Sequence, residues 1–183
     1  TNTTIDTLDY SGEGLNSGSK VVIAAYGNPI RTLTNQVHHR LEKLQHFSNC
    51  KLIMPGVVAL KGNPFTNYTQ AISEINDLDQ QLRGIENELK EQNGLPEEIV
   101  MIVVCDDSDF ITATFNNFLW ATFTKANPSH DFYGVNAIVK NKHWGCKGPL
   151  IIDARKKPHH APAVEIAPET EEKVKRSEEH TSE

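Results

Sequence analysis

Apolar and polar positions along this chain of 183 residues fall into blocks of two different periods. "KVVIAAYG" (20–27), "KLIMPGVVALKG" (51–62) and "IVMIVVCDD" (99–107) are short apolar runs closed by Gly27, Gly62 and paired aspartates, the pattern of buried strands. Pro55-Gly56 interrupts the second run, which predicts two short strands around a turn. "DFYGVNAIV" (131–139) predicts a further, shorter strand. Between the runs the period changes to that of a helix. Leu33, Val37, Leu41 and Leu44 predict a helix that follows Pro29 and ends near Ser48-Asn49. Ile75, Leu78, Leu82, Ile85 and Leu89 predict the longest helix, over about 68–92. Phe115, Phe118, Leu119, Thr122 and Phe123 put one apolar face on a third, over 112–125, which Asn127-Pro128 stops.

Strands alternating with helices imply an α/β fold: a three-layer domain with a mostly parallel sheet flanked by helices. Residues 1–18 are polar and rich in Gly and Ser, and read as a linker or the end of an upstream domain. The α/β domain is expected over 19–162, and 163–183, rich in Pro, Ala and Glu, as a disordered tail. Its last segment, "RSEEHTSE" (176–183), reads as the in-frame translation of a sequencing adapter.

The long helix has two readings. Its steps of three and four residues approach a heptad seam. They fit an amphipathic helix lying on a sheet, the commoner use, or a self-association and partner-binding stripe. Gly84 within it costs about 1 kcal/mol against alanine, so tertiary contacts must secure the helix.

Composition narrows the function classes. A hydrophobic content of 38% suits a soluble globular chain, and a net charge of −6 argues against a general nucleic-acid binder. Much of that charge is local, since 165–183 carry seven acids and three bases, a net −4. Cys50, Cys105 and Cys146 are widely spaced and odd in number, which fits a reducing, cytoplasmic setting without a disulfide framework. No apolar run approaches the roughly 20 residues of a membrane span.

Candidate chemistry concentrates in two places. Asp106, Asp107 and Asp109 follow the strongest strand, where α/β proteins place their sites; helix capping and loop bonding are the commoner use of such aspartates. The stretch "NKHWGCKGPLIIDARKKPHH" (141–160) is basic, with glycines. Its His143 and Cys146 could supply two metal ligands where a structural zinc site wants four, so no metal site is expected. Gly145 and Gly148 beside Lys142 and Lys147 could hold an anion on backbone N–H groups. No GxGxxG, GxxxxGK[ST] or GxSxG motif occurs.

The order of pieces is itself informative. "VVCDDSDF" leads into "FNNFLWATFTKANPSHD" and ends in "GCKGPLIIDARKKPHHAP". This resembles the C-terminal domain of the UbiD-type decarboxylases over about 18–162. The matching features are paired aspartates after a strand (Asp106, Asp107), a helix tryptophan (Trp120), an Asn-Pro-x-x-Asp turn (Pro128, Asp131) and a late strand-like segment carrying Asp153. Arg155 stands where the family usually has threonine, and Ile152 where it has glycine or another apolar residue, so substrate does not transfer.

The resemblance implies a parent carboxy-lyase acting on an aromatic or α,β-unsaturated carboxylic acid, with prenylated FMN, a divalent metal and potassium as cofactors. The family's Glu-Arg-Glu set and metal ligands lie in an upstream flavin-binding domain, so no catalytic residue and no cofactor site are expected in this chain. Its implied role is oligomerisation and closure over the active site, with the N-terminal domain and further copies as partners. Lys142, His143 and Lys147, with Lys90 as a candidate flavin-phosphate ligand, are the implied cleft-lining residues. The rival is a free-standing module that binds a partner through the Ile75 to Leu89 stripe.

Overall fold

The computed structural model describes residues 26–29, 31–89, 99–141, 143–161, 169–170 and 172–174. The linker at 1–18, nearly all of the strand expected at 20–27, and Lys90 and Lys142 lie outside them. Of the expected tail, 169–170 and 172–174 are described, and they are helical.

Pro55-Gly56 makes the predicted turn. Strand β1 (Phe47–Met54) returns as β2 (Val57–Gly62), antiparallel, with Met54 opposite Val57. Proline followed by glycine at φ +74° is the pairing a type II turn requires. The strand begins earlier than its apolar run, and its register shifts between Ser48 and Lys51, where Asn49 takes φ +45°, as at a bulge. Helix α1 (Tyr68–Leu89) then leads to β3 (Met101–Cys105), parallel to β2.

After β3, Asp107 caps α2 (Ser108–Ala113) by accepting from the backbone N–H groups of Asp109 and Phe110. Thr114 ends α2 and caps α3 (Phe115–Lys125), so the single helix expected at 112–125 is two, both bounded by side-chain caps. Asp107→Ala is expected to cost about 1 kcal/mol in urea unfolding, the usual loss of a cap. Strand β4 (Phe132–Gly134), the hairpin β5 (Ala137–Lys140) and β6 (His143–Cys146), and β7 (Leu150–Asp153) complete the chain's regular structure among the described residues.

The main sheet has the order β1-β2-β3-β7-β4. Its three central strands are parallel and its two edges antiparallel. Alternate residues point to opposite faces. Val58, Leu60, Ile102, Val104 and Ile151 pack with Ile75, Leu78 and Leu82 of α1, whereas Val57, Ala59, Val103 and Cys105 pack with Ile111, Phe118 and Ala121 of α2 and α3. The domain is therefore three-layered α/β.

Three expectations are corrected here. No helix forms from Leu33 to Leu44; the described backbone is irregular until a 3-10 turn at Leu41–Lys43. Thr34 Oγ1 bonds the backbone of Gln36, and Arg40 N donates to His38 Nδ1, local bonds that compete with a helix. Leu41 and Leu44 still reach the core. The α1 stripe is not open to a partner: Ile75 is 2% exposed and Leu78 0%, so the partner-binding rival loses its surface. Finally, 141–160 is not simply a loop, because it contains β7, a central strand whose Ile151 and Ile152 are fully buried.

Candidate functional site

The carboxyl ends of the parallel strands, where open α/β sheets place their ligands, carry a buried cluster of charges. Arg155 follows β7 with its side chain 1% exposed. Its Nε donates to Asp153 Oδ1 at 2.9 Å and its Nη2 to Asp153 Oδ2 at 2.8 Å, a bidentate pair. Nη1 donates to Glu74 Oε2 at 2.5 Å and to the Asn63 carbonyl at 3.0 Å. Glu74 projects from the second turn of α1 and also accepts from Gln70 and Asn63. Burial alone would raise its pKa; the bonds from Arg155, Gln70 and Asn63 outweigh this and hold it below the ordinary range.

Gly62 ends β2 beside this cluster because nothing larger fits. A Cβ there would meet Val104 Cγ1 at 2.9 Å and Arg155 Cδ at 3.2 Å.

Lys157, equally buried, forms the second half of the cluster. Its Nζ donates to the carbonyls of Asp153 (2.6 Å) and Lys125 (3.2 Å) and lies 3.1 Å from Asp131 Oδ2. The Asn-Pro-x-x-Asp turn delivers that carboxylate: Asn127 N donates to Asp131 Oδ2, and Asp131 N to the Asn127 carbonyl. Burial pushes the Asp131 carboxyl up, against the pull of Lys157. The Phe65 ring lies 5.8 Å from Arg155 Cζ and 5.6 Å from Lys157 Nζ. Beside it, Asp106 accepts from Lys125 Nζ and from the Lys156 backbone, both at 2.9 Å.

The edge is thus filled by the chain's own cations, each satisfied by the chain's own oxygens. Four of the five N–H groups of Arg155 have acceptors. Such a cluster locks the start of α1, the end of α3 and the segment after β7 together; it leaves no charge to bind a substrate.

The structure brings Asp106, Asp131 and Asp153 to this edge, while Asp107 caps α2 and Pro128 lies in the turn before Asp131. Asp109 pairs with Lys51 and Asn49 on the surface. Glu74 and Lys157 were not anticipated. A signal existed: Glu74 stands on the apolar face of α1, between Ala71 and Leu78, where a charge needs a partner.

The basic hairpin is elsewhere. Lys147 is exposed, its N–H donates to Asn136 O, and Gly148 N–H donates to Val135 O. Those two amides are engaged within the chain, which corrects the expectation of an anion site built on them. His143 lies in β6, and its side chain is outside the described set. His160 follows Lys157 in the chain and accepts its N–H; burial and the neighbouring His159, Lys157 and Lys125 lower its pKa to about 4, so the ring is a neutral acceptor. Burial pushes the thiols of Cys50 and Cys105 up to about 12 and that of Cys146 upward, so none is a thiolate nucleophile at neutral pH. Among the described residues no group of His, Cys, Asp and Glu could hold a metal, and no helix is long and apolar enough to cross a membrane.

The surface feature that stands out is the outer face of α2 and α3. Phe110, Phe115, Leu119, Trp120 and Phe123 are all exposed, Phe115 by 59% and Trp120 by 58%. Phe110 and Trp120 meet edge to face at 5.9 Å, and Phe118 links Phe115 to Phe123 from below. The predicted face of α3 is therefore split. Phe118 and Thr122 turn inward with Ala121, while Phe115, Leu119 and Phe123 turn out. Contiguous aromatic surface of this kind marks an interaction site.

No known family profile matches the chain. It is 30% identical over 169 residues to an uncharacterized protein of Chlamydia muridarum, covering 92% of this chain and 26% of the relative. It is 25% identical over 169 residues to a 4-hydroxybenzoate decarboxylase subunit of Chlamydia pneumoniae, with the same two coverages. Among solved structures, the open form of vanillic acid decarboxylase from Sedimentibacter hydroxybenzoicus aligns with 78% of this chain and 31% of its own, at 16% identity and a TM-score of 0.41. The chain spans about a quarter of the length of the curated relatives it matches, and over that quarter it is similar to a protein named as a decarboxylase subunit.

Proposed function

We propose that this chain is the C-terminal α/β domain of a UbiD-type, prenylated-FMN-dependent decarboxylase acting on an aromatic or α,β-unsaturated carboxylic acid. In this reading it serves oligomerisation and closure of the active site, and the reaction centre lies in the polypeptide beyond it. The observation that carries the reading is the alignment of 92% of the chain with a quarter of a protein named as a 4-hydroxybenzoate decarboxylase subunit. The aromatic outer face of α2 and α3 supports it, because such surface calls for cover by another domain or subunit.

The described residues do not suit a flavin site of their own. Arg155 and Lys157 are consumed internally, and the amides of Lys147 and Gly148 are bonded within the chain. No catalytic step is therefore assigned to them. The exposed Lys147, together with Lys142 and His143, belongs to the one stretch whose charge suits a carboxylate or flavin phosphate across a cleft, by Coulomb attraction.

The test is to produce the polypeptide extended to the length of its relatives in cells that make prenylated FMN. Release of carbon dioxide from 4-hydroxybenzoate and related aromatic and unsaturated acids is then measured. The long polypeptide is expected to retain the flavin and decarboxylate at least one acid, and this chain alone to do neither. A long polypeptide that binds no prenylated flavin and decarboxylates no acid of the panel would overturn the reading.

A further inference from the structure

A second surface stands apart from the aromatic face, and Gly84 points to it. Glycine inside a 22-residue helix is destabilising by about 1 kcal/mol against alanine and calls for a reason. Close packing is not the reason, because a Cβ at Gly84 would meet nothing within 4 Å. A left-handed backbone is not the reason either, since among the described glycines only Gly27 and Gly56 have positive φ. What the missing side chain does is leave a groove open.

That groove, about 440 Å3 in volume, lies between α1 and the segment around the 3-10 turn at Leu41–Lys43. Leu44 and Ile85 are its apolar floor, each packed in or against the core. His39, Arg40 and Lys43 stand along it, and no acidic side chain is among its described lining residues. Glu42, next to Lys43 in sequence, exerts its charge on the Cys50 thiol instead. Gln81 fixes the width: its Oε1 accepts from Gln45 N at 2.7 Å and its Nε2 donates to Gln45 O at 3.4 Å, tying the two walls together.

We infer that this groove docks an acidic peptide segment that places one apolar side chain over Gly84 and its carboxylates against Lys43 and Arg40. Charge complementarity selects the occupant. The shape selects a peptide over a small acid: small-molecule sites enclose most of their ligand, whereas His39, Lys43 and Gly84 are all exposed here. A side chain held by its own backbone needs only the floor and one charged wall. The inference does not depend on the decarboxylase reading.

The probe is a short fluorescein-labelled peptide of glutamates around a single leucine, titrated with the full chain at low salt and followed by anisotropy. The wild type is expected to bind it, to lose affinity as salt rises, and to ignore the matching lysine peptide. Lys43→Glu should weaken binding at least tenfold, while Lys140→Glu, on the distant β5-β6 hairpin, should change it less than twofold. Gly84→Leu should abolish binding while the melting temperature stays equal or rises, because leucine is the better helix former and has room. Undiminished binding by a folded Gly84→Leu, equal losses in the two lysine variants, or no binding by the wild type would each overturn the inference. So would full displacement by benzoate as readily as by unlabelled peptide, which would assign the groove to a small acid.

Discussion

Arg155→Ala is expected to destabilise the domain by about 3–5 kcal/mol, the usual cost of breaking a buried ion pair from one side. The substitution leaves Asp153, with its side chain 0% exposed, and Glu74, at 9%, without their cation. It also strands the Asn63 carbonyl and empties the space that Gly62 keeps clear. The loss is read as a lower urea midpoint with unchanged slope. A cost under about 1 kcal/mol would mean the cluster is solvated, as exposed pairs are. Replacing Arg155, Asp153 and Glu74 together by apolar residues of similar size should restore much of the loss, since the penalty comes from the unpaired charge.

Acid should narrow the gap between wild type and Arg155→Ala. In the wild type the Glu74 pKa is held below the ordinary range by its partners, after burial has acted against them. A lowered folded pKa gives stability that is complete above the ordinary glutamate range and is lost as pH falls through the lowered value. The variant lacks the strongest of those partners and has less to lose. Asp131, whose pKa is raised by burial, responds in the opposite sense, but it is present in both proteins and largely cancels from the difference.

Leu78→Ala is expected to cost about 2–5 kcal/mol, as large-to-small changes in a packed core do. Leu78 is 0% exposed and sits at the centre of the α1 contact with Val58, Leu60, Ile102 and Ile151. Leu119→Ala, removing the same atoms from a side chain that is 39% exposed, should cost less than about 1 kcal/mol. Thermal unfolding of the two variants therefore reports which apolar stripe is core and which is surface. Comparable losses would mean that the α2 and α3 face is covered in solution, for instance by a second copy, and repeating the measurement across protein concentrations would reveal it.

The two leucines show how far periodicity carries. The 3.6 period finds both helices, but it cannot tell a stripe that meets a sheet from one that meets solvent. On α3 the sequence offers Phe115, Phe118, Leu119, Thr122 and Phe123 as one face; the structure buries Phe118 and Thr122 with Ala121 and turns the rest outward. The hydroxyl of Thr122 goes in while three large apolar side chains stay out, a choice no hydropathy pattern makes.

Local chemistry was enough for the α/β class, the β1-β2 turn at Pro55-Gly56, the extent of α1 and the position of β3, because each rests on contacts within a few residues of sequence. The same holds for Asp107, whose place before a helix predicts a cap. Tertiary structure decided the remainder. Leu33 to Leu44 keep a helical spacing without forming a helix, since side-chain bonds at Thr34 and His38 and the burial of Leu41 and Leu44 satisfy that segment otherwise. The apolar run "LIID" is short and set among lysines and glycines, so only its place between β3 and β4 makes it a central strand. Arg155 meets Glu74 across 81 positions, and Lys157 meets Asp131 across 26; charges so far apart in sequence have no signature until the sheet brings their elements to one edge. Burial is a property of the folded whole, and it is burial that turns these five residues from surface charges into the lock of the domain.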